Sequence, residues 1–387
     1  MTLIRNQVLF TLVIAAAVAA AASGFVAYAP NRLVSGRPIS LWEAASLPMT
    51  AVIVLLGALL FAACLTVPSR SLHYAEAGLA AALLLLVLVA AGEAASSLSL
   101  GAKPAVRISL GAAFWVLAAC AALAIVDALQ RLDAGPVARV LAVAAICAGA
   151  IVLAAAGTFD GLSIAREYAT RRQLFADALL RHVALVAGSV GPAIAIGFPL
   201  GVAAARNPPL QGPLFAVLNM LQTIPSIALF GLLIVPLAAL ATAVPQLAAV
   251  GVGGIGVAPA IVALVLYALL PVVRNTSAGL AGVDTAVIEA GRGMGLTSRQ
   301  IFRQVELPLA LPVLLAGLRI VTVQAIGLAV VAALIGAGGL GTFVFEGLGQ
   351  YAVDLVLLGA LPAIFLALAA DFILQTLAAV LRRRVAP

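Results

Sequence analysis

"EAGRGMGLTSRQIFRQVELP", residues 289–308, is a polar interruption with three arginines set between two long apolar runs. Asp284, just before it, has the side chain to cap a short helix, "DTAVIEAGRGM", which Gly293 and Gly295 would terminate. Thr297 and Gln300 have capping-box spacing for a second helix, "TSRQIFRQVEL". Pro308 is expected to stop that helix, with Pro312 near the start of the next apolar run. On the second helix Ile301, Phe302 and Val305 share one strip, and Arg299, Arg303 and Glu306 take the rest of the surface. Two short amphipathic helices of this kind can fill a groove on a soluble partner or lie on lipid headgroups. Periodicity leaves both readings open.

The surroundings fix the solvent. Hydrophobic residues make up 65% of the chain and charged residues 9%, against about 25% charged in soluble domains. Mean hydropathy is +1.23. Apolar runs long enough to cross a bilayer lie near 7–29, 48–67, 72–92, 108–128, 136–157, 183–205, 213–239, 254–273, 309–335 and 353–380. The expected fold is an all-α integral membrane protein of about ten transmembrane helices. The first run follows Arg5 and is Ala-rich enough to mimic a cleaved leader, but its length favours a retained span. Cys64, Cys120 and Cys147 all fall within apolar runs and read as small core residues, with no disulfide framework. The cysteines and two histidines show no metal-ligand spacing.

Arginine placement gives the orientation. With the N-terminus inside, the inner segments hold twelve arginines against six carboxylates, and the outer segments eight cations against seven. That asymmetry puts both termini in the cytoplasm and accounts for most of the net +7 as a topology signal, so no nucleic-acid partner is implied. The segment "TFDGLSIAREYATRRQLFADALLRHV" (158–183) then lies outside. Leu174, Phe175, Ala178, Leu179 and Val183 recur there at helical spacing opposite Arg171, Arg172, Asp177 and Arg181. It reads as an interfacial amphipathic helix entering the sixth span, or as a solvated connector.

Two G-x-G-x-x-G matches, "GVGGIG" (251–256) and "GAGGLG" (336–341), lack the strand that must precede a dinucleotide-binding turn. They read as backbone that turns or unwinds where protein or a wet cavity satisfies it. The sole lysine, Lys103, precedes Pro104, so there is no Walker A loop. No Ser/His/Asp cluster or paired carboxylates in a soluble pocket are present, and an enzyme reading has no chemistry behind it.

Glu289-Ala290, then Gly295, then Val305-x-Leu307-Pro308 resembles the EAA loop of ABC importer permeases at matching spacing throughout. It departs at Gly291, where alanine is usual, and at Val305, where isoleucine is usual. The resemblance covers about 174–380. "QTIPSIALFGLL" (222–233), "ALVLYALLPVVRNT" (263–276) and "ALIGAGGLG" (333–341) are similar to the osmoprotectant branch, which imports glycine betaine, choline and related quaternary amines. "YAPNRLVSG" (28–36) looks like the subgroup with an extra block of spans before the core. The resemblance implies a five-helix permease core (183–380) after an N-terminal block of about five spans (1–158) and an extracytoplasmic connector (159–182). A coupling loop (274–308) and a basic cytoplasmic tail (381–387) complete it. It implies that Asp284, Glu289, Ala290, Gly291, Gly295, Arg299, Val305, Leu307 and Pro308 shape the joint to an ATP-binding subunit. That subunit would hydrolyse the ATP, so the chain itself carries no cofactor. The further partners implied are a second permease, identical or homologous, and an external substrate-binding protein.

Within the spans, Arg319 and Asp371 sit at similar depth on antiparallel helices and can form an intramembrane ion pair; contact with substrate is the alternative. Asn219, Gln222 and Thr223 precede Pro225, where the helix can bend or break, and they can line a substrate path or satisfy a kink. Gln324 joins them as a candidate. Tyr267 can meet a quaternary ammonium by cation–π attraction or serve packing alone. The competing class is an ion-coupled secondary transporter using Arg319 and Asp371, but no repeated pair of interrupted helices supports it. A membrane scaffold or receptor would not need so many prolines and glycines in the core spans.

Overall fold

The computed structural model describes residues 4–385 apart from Leu33, Pro104 and Val250; side chains of 382–385 lie outside the description. The expected basic tail with Arg382, Arg383 and Arg384, and the Lys103-Pro104 step, therefore fall partly outside the described residues. Among those residues nine helical stretches are long and apolar enough to cross a membrane, and Gln7–Ala22 is a shorter apolar helix. Two compact units form: Met1–Thr170 with Tyr351–Asp354, and Arg171–Gln350 with Leu355–Pro387.

The first unit runs α1 (Gln7–Ala22), β1 (Val26–Ala29), β2 (Arg37–Ile39), α2 (Leu41–Ala44), α3 (Leu47–Leu65), α4 (Arg70–Ser99), β3 (Arg107–Leu110), α5 (Ala112–Arg131), α6 (Pro136–Ala155) and α7 (Ser163–Thr170). A small antiparallel sheet of order β2-β1-β3 adds to the helical reading, with Val26 opposite both Ile39 and Leu110. It shortens two expected spans: 26–29 and 108–110 leave the helices to pair as strands. Their β-branched and aromatic residues suit a pleated surface, and Pro38 sits on an edge strand where its missing N–H costs no ladder bond. Val26 and Ile108 are buried beneath the sheet. No residue of α6 is buried within the chain, and Cys147 on it is exposed, which corrects its reading as a core residue.

Several charges in this unit meet a partner, which offsets part of the cost of taking them out of water. Glu167 meets Arg32, with Arg107 3.8 Å away, and Ser109 Oγ donates to Asp354 Oδ2 at 2.9 Å. Burial, then repulsion from Arg32 and Arg166, lowers the pKa of Arg107. Elsewhere in the unit, Asn6, Asp127 and Arg131 close a triangle of hydrogen bonds of 2.8–2.9 Å, and His73 Nδ1 lies 2.7 Å from Glu76.

The second unit runs α8 (Arg172–Arg206), α9 (Pro208–Thr223), α10 (Ser226–Ala243), α11 (Pro245–Ala249), α12 (Val257–Ala281), α13 (Thr285–Gly293), α14 (Ser298–Ile301), α15 (Leu307–Val331), α16 (Gly341–Gly349) and α17 (Val353–Val385). Helix α12 is the axle, packed against both α8 and α15, which also meet each other, with Ala260, Ala263, Leu264 and Val273 buried. Lipid tails are as apolar as leucine, so close packing holds such helices together. Close approach needs small residues: a Cβ on Gly317 of α15 would fall 2.5 Å from Asn275 Cβ of α12.

Two expectations change here. The span placed at 213–239 is broken into α9 and α10 at Ile224–Pro225, because proline lacks the donor that would carry the helix on. The connector helix is also not separate: α8 starts at Arg172 and runs unbroken to Arg206. Its inward face there is Phe175, Ala178, Leu179 and His182, whereas Leu174 and Val183 are exposed. Phe175 stacks near Phe343 at 6.2 Å between ring centres, and Arg171 pairs with Glu346 at 2.7 Å.

The two glycine motifs lie at one end of this unit and touch: Gly256 N–H donates to Ile335 O at 2.7 Å. Among the described residues neither follows a strand. Gly341 closes the second motif where a Cβ would sit 1.9 Å from the Val330 carbonyl oxygen, a spacing only glycine permits.

Candidate functional site

The loop 282–308 is built from its caps. Asp284 Oδ1 accepts from Ala286 N–H at 2.9 Å and starts α13. The helix ends in a Schellman turn: Leu296 N–H reaches Gly291 O at 3.1 Å and Gly295 N–H reaches Arg292 O at 2.9 Å. That turn requires the left-handed φ of +80° at Gly295. A capping box opens α14, with Thr297 N–H to Gln300 Oε1 at 2.8 Å and Gln300 N–H to Thr297 Oγ1 at 3.4 Å.

The surface this presents is specific. Glu289, Ala290 and Arg299 are exposed, as are Val287 (43%) and Met294 (75%), so α13 offers apolar side chains and a carboxylate to whatever covers it. Gly291 faces the other way, buried, where a Cβ would meet Ile301 and Leu296 at 3.6 Å. Ile301 is buried and Val305 half-buried behind it. The two helices are thus glued to each other by their apolar strips, leaving the outer face of α13 unpartnered.

The second helix departs from expectation. It does not stop at Pro308; α14 passes through a π-helical turn, Phe302–Glu306, directly into α15, with Leu307 and Pro308 in its first turn. Proline is tolerated in a first turn, and the i→i−5 bonding from Leu307 N–H to Phe302 O widens the helix ahead of its ring. The same turn carries Glu306 inward. Read as a surface residue in the sequence, it is buried at 3% exposure and pairs with Arg206.

In the spans, Arg319 and Asp371 are brought together by two contacts, Nη2 to Oδ2 at 2.8 Å and a shorter one from Nε to Oδ1. Gln222 Nε2 donates to Tyr267 O at 2.7 Å, and Tyr267 Oη donates to Ile224 O at the α9–α10 break. Tyr267 is 6% exposed. Asn219 accepts from Arg274 at 3.2 Å, Thr223 donates to its own helix at Met220 O, and Gln324 is half-buried on α15. Asn219, Gln222, Thr223, Pro225 and Tyr267 thus gather at one interruption, while Gln324 stands on another helix. Sequence reading missed Arg206, Arg274 and Asn275; the first carried a signal, as the last residue of a span before Asn-Pro.

Helices long and apolar enough to cross a membrane, packed around α12 with a capped two-helix loop at their ends, define an all-α integral membrane protein. Comparison gives the family. Residues 197–387 match the model described as binding-protein-dependent transport system inner membrane component, and residues 4–165 match ABC transporter permease YehY, N-terminal domain. Osmoprotectant import permease protein OsmW of Salmonella typhimurium is 44% identical over 53% of this chain and 91% of its own length. Carnitine transport permease protein OpuCB of Listeria monocytogenes is 42% identical over 51% of this chain and 83% of its own. The glycine betaine/carnitine/choline transport system permease protein OpuCB of Bacillus subtilis is 39% identical, covering 53% and 85%. The chain belongs to this family: it is a multi-pass membrane permease subunit of a binding-protein-dependent ABC importer. Membership implies partners of two kinds, an ATP-binding subunit and a substrate-binding protein.

Proposed function

We propose that this permease imports quaternary-amine osmoprotectants such as glycine betaine, with choline and carnitine as further members of the class. What supports the substrate class is the names of relatives 39–44% identical over about half of this chain, which are osmoprotectant, carnitine and glycine betaine/carnitine/choline permeases. The observation that carries the mechanism is the exposed outer face of α13, rigidly capped at both ends and backed by α14. On this reading the ATP-binding subunit receives α13 in a groove, with Glu289 and Arg299 at the rim and Val287 and Met294 inside. Gly295, Gly291, Ala290, Val305, Leu307 and Pro308 keep the helix pair in shape.

ATP is hydrolysed on the partner, and its closure pulls the loop. A second permease, identical or homologous, completes the path, and the external protein delivers the solute. Both termini are cytoplasmic, which places α13 on the ATPase side and the glycine loops outside. The pair Arg319–Asp371 fixes α15 to α17 as structure. Gln222 and Tyr267 secure the break in the helix beside the path.

Uptake of labelled glycine betaine into proteoliposomes tests this, comparing the chain alone with the chain plus ATPase, partner permease and binding protein. ATP-dependent uptake that needs all partners and fails with Glu289→Lys is the expected result. Uptake by the chain alone under an ion gradient would replace the reading with a secondary transporter. ATP-dependent uptake of a different solute would leave the mechanism and change the substrate.

A further inference from the structure

The carboxylate of Glu306 is the anomaly of the loop. Its side chain is 4% exposed while its partner Arg206 is 50% exposed. A surface ion pair contributes little, but a buried carboxylate is costly without its cation. Three features converge to hold this one. The π-helical turn adds a residue to the wind of the helix and rotates position 306 toward α8. Phe302, one turn earlier on the same face, lies under the guanidinium with 6.0 Å from its ring centre to Arg206 Cζ. Arg206 is itself the last residue of α8, immediately before the Asn207-Pro208 break that starts α9.

On the coupling reading, this contact ties the loop that is pulled to the end of α8. If the loop were pulled without this link, α8 would feel the motion only through apolar packing. Such packing slides, and among the described residues no other hydrogen bond or ion pair joins the loop to α8 at this end.

We propose that Arg206 is a positioning residue for coupling, a clamp on Glu306 that makes loop 284–308 and the end of α8 move as one body when the loop is pulled. The proposal rests on the coupling reading given above, but it concerns a side chain outside the loop. It also predicts an asymmetry. Arg206→Ala strands a buried carboxylate, whereas Glu306→Gln leaves only an exposed arginine, so the first is the more damaging. Removing both relieves the stranded charge.

Two measurements test it. In proteoliposomes of the assembled transporter, ATP hydrolysed per glycine betaine imported is expected to rise about tenfold for Arg206→Ala, within the range of coupling between sites. Glu306→Gln should raise it less, Arg206→Lys least, and the double variant Arg206→Ala/Glu306→Gln should fall below Arg206→Ala. Co-purification of the ATPase should stay within about twofold. Uptake and hydrolysis falling in proportion, or additive effects in the double variant, would overturn the clamp.

The second measurement needs no transport. Spin labels at positions 195, exposed on α8, and 299 of the purified chain, with Cys147→Ser, report the distance across the joint. A narrow distribution that broadens in Arg206→Ala and narrows again in the double variant is expected. An unmodified chain as broad as Arg206→Ala would refute the clamp even if uptake behaves as proposed. A narrow one without ATP-driven uptake would instead count against the functional reading alone. Should Arg206→Ala fail to fold, the same comparison is made with Glu306→Gln, where an unchanged width and ratio would refute it.

Discussion

Gly291 and Gly295 stand four residues apart in the same loop, and replacing each by alanine should move α13 in opposite directions. At Gly295 the backbone has φ +80°, and nothing lies within 4 Å of where a Cβ would go. The substitution adds no clash, so its cost is backbone strain alone, about 1–2 kcal/mol for an L-residue held left-handed. Gly291 is helical, and its new methyl would find Ile301 and Leu296 at 3.6 Å, ordinary contact distance. There alanine gains about 1 kcal/mol of helix propensity with packing added. Amide hydrogen exchange reads this locally, because Leu296 N–H and Met294 N–H are held at 3.1 and 3.0 Å by Gly291 O and Ala290 O. Gly295→Ala should speed exchange at these amides by about five- to thirtyfold, and Gly291→Ala should slow it by about fivefold. The affinity of the purified chain for its ATPase should follow in the same order. If Gly295→Ala leaves exchange unchanged, the turn is not what ends α13. If Gly291→Ala speeds it, the space behind the helix is not what the geometry says.

Other perturbations follow the same logic. Tyr267→Phe keeps the ring but loses the hydroxyl bond to Ile224 O, so it should cost about 1 kcal/mol of thermal stability while leaving the KM for betaine unchanged; a raised KM with normal stability would put the ring in the path. Arg319→Ala and Asp371→Ala should each cut the monodisperse yield from detergent several-fold, and the double variant should recover much of it, since an unpaired charge is the costly state in lipid; full yield with transport lost in each single variant would mean substrate contact instead. Gly317→Ala should destabilise by about 1–3 kcal/mol through collision with Asn275, measured as a lower melting temperature in detergent; an unchanged value would mean that α15 and α12 part easily.

Legibility in the sequence followed the range of the physics. Caps are local, so Asp284, Thr297 with Gln300, and the terminating Gly295 were all readable from side chains within a few residues of the backbone groups they satisfy. Helical spans were readable because lipid forces every backbone group to be satisfied within its own helix. Where that demand relaxes, reading failed. At the ends of α1 and before α5, strands satisfy one another across the chain, and two four-residue segments of apolar residues give no periodicity that separates strand from helix end. The π-helical turn was invisible for a different reason. Pro308 signals both a stop and a first turn, and only the partner 100 residues away, Arg206 at the end of α8, shows which face of the helix Glu306 must take. Positions 219–225 were readable as an interruption from Pro225, but not as a satisfied one, since the donors and acceptors come from Tyr267 and Arg274 on α12. The elements fixed by neighbours in sequence were therefore open to inspection, and those fixed by neighbours in space were not. If α13 is the surface offered to an ATPase, that surface is encoded locally by its caps, whereas the Arg206–Glu306 contact behind it is encoded only in space.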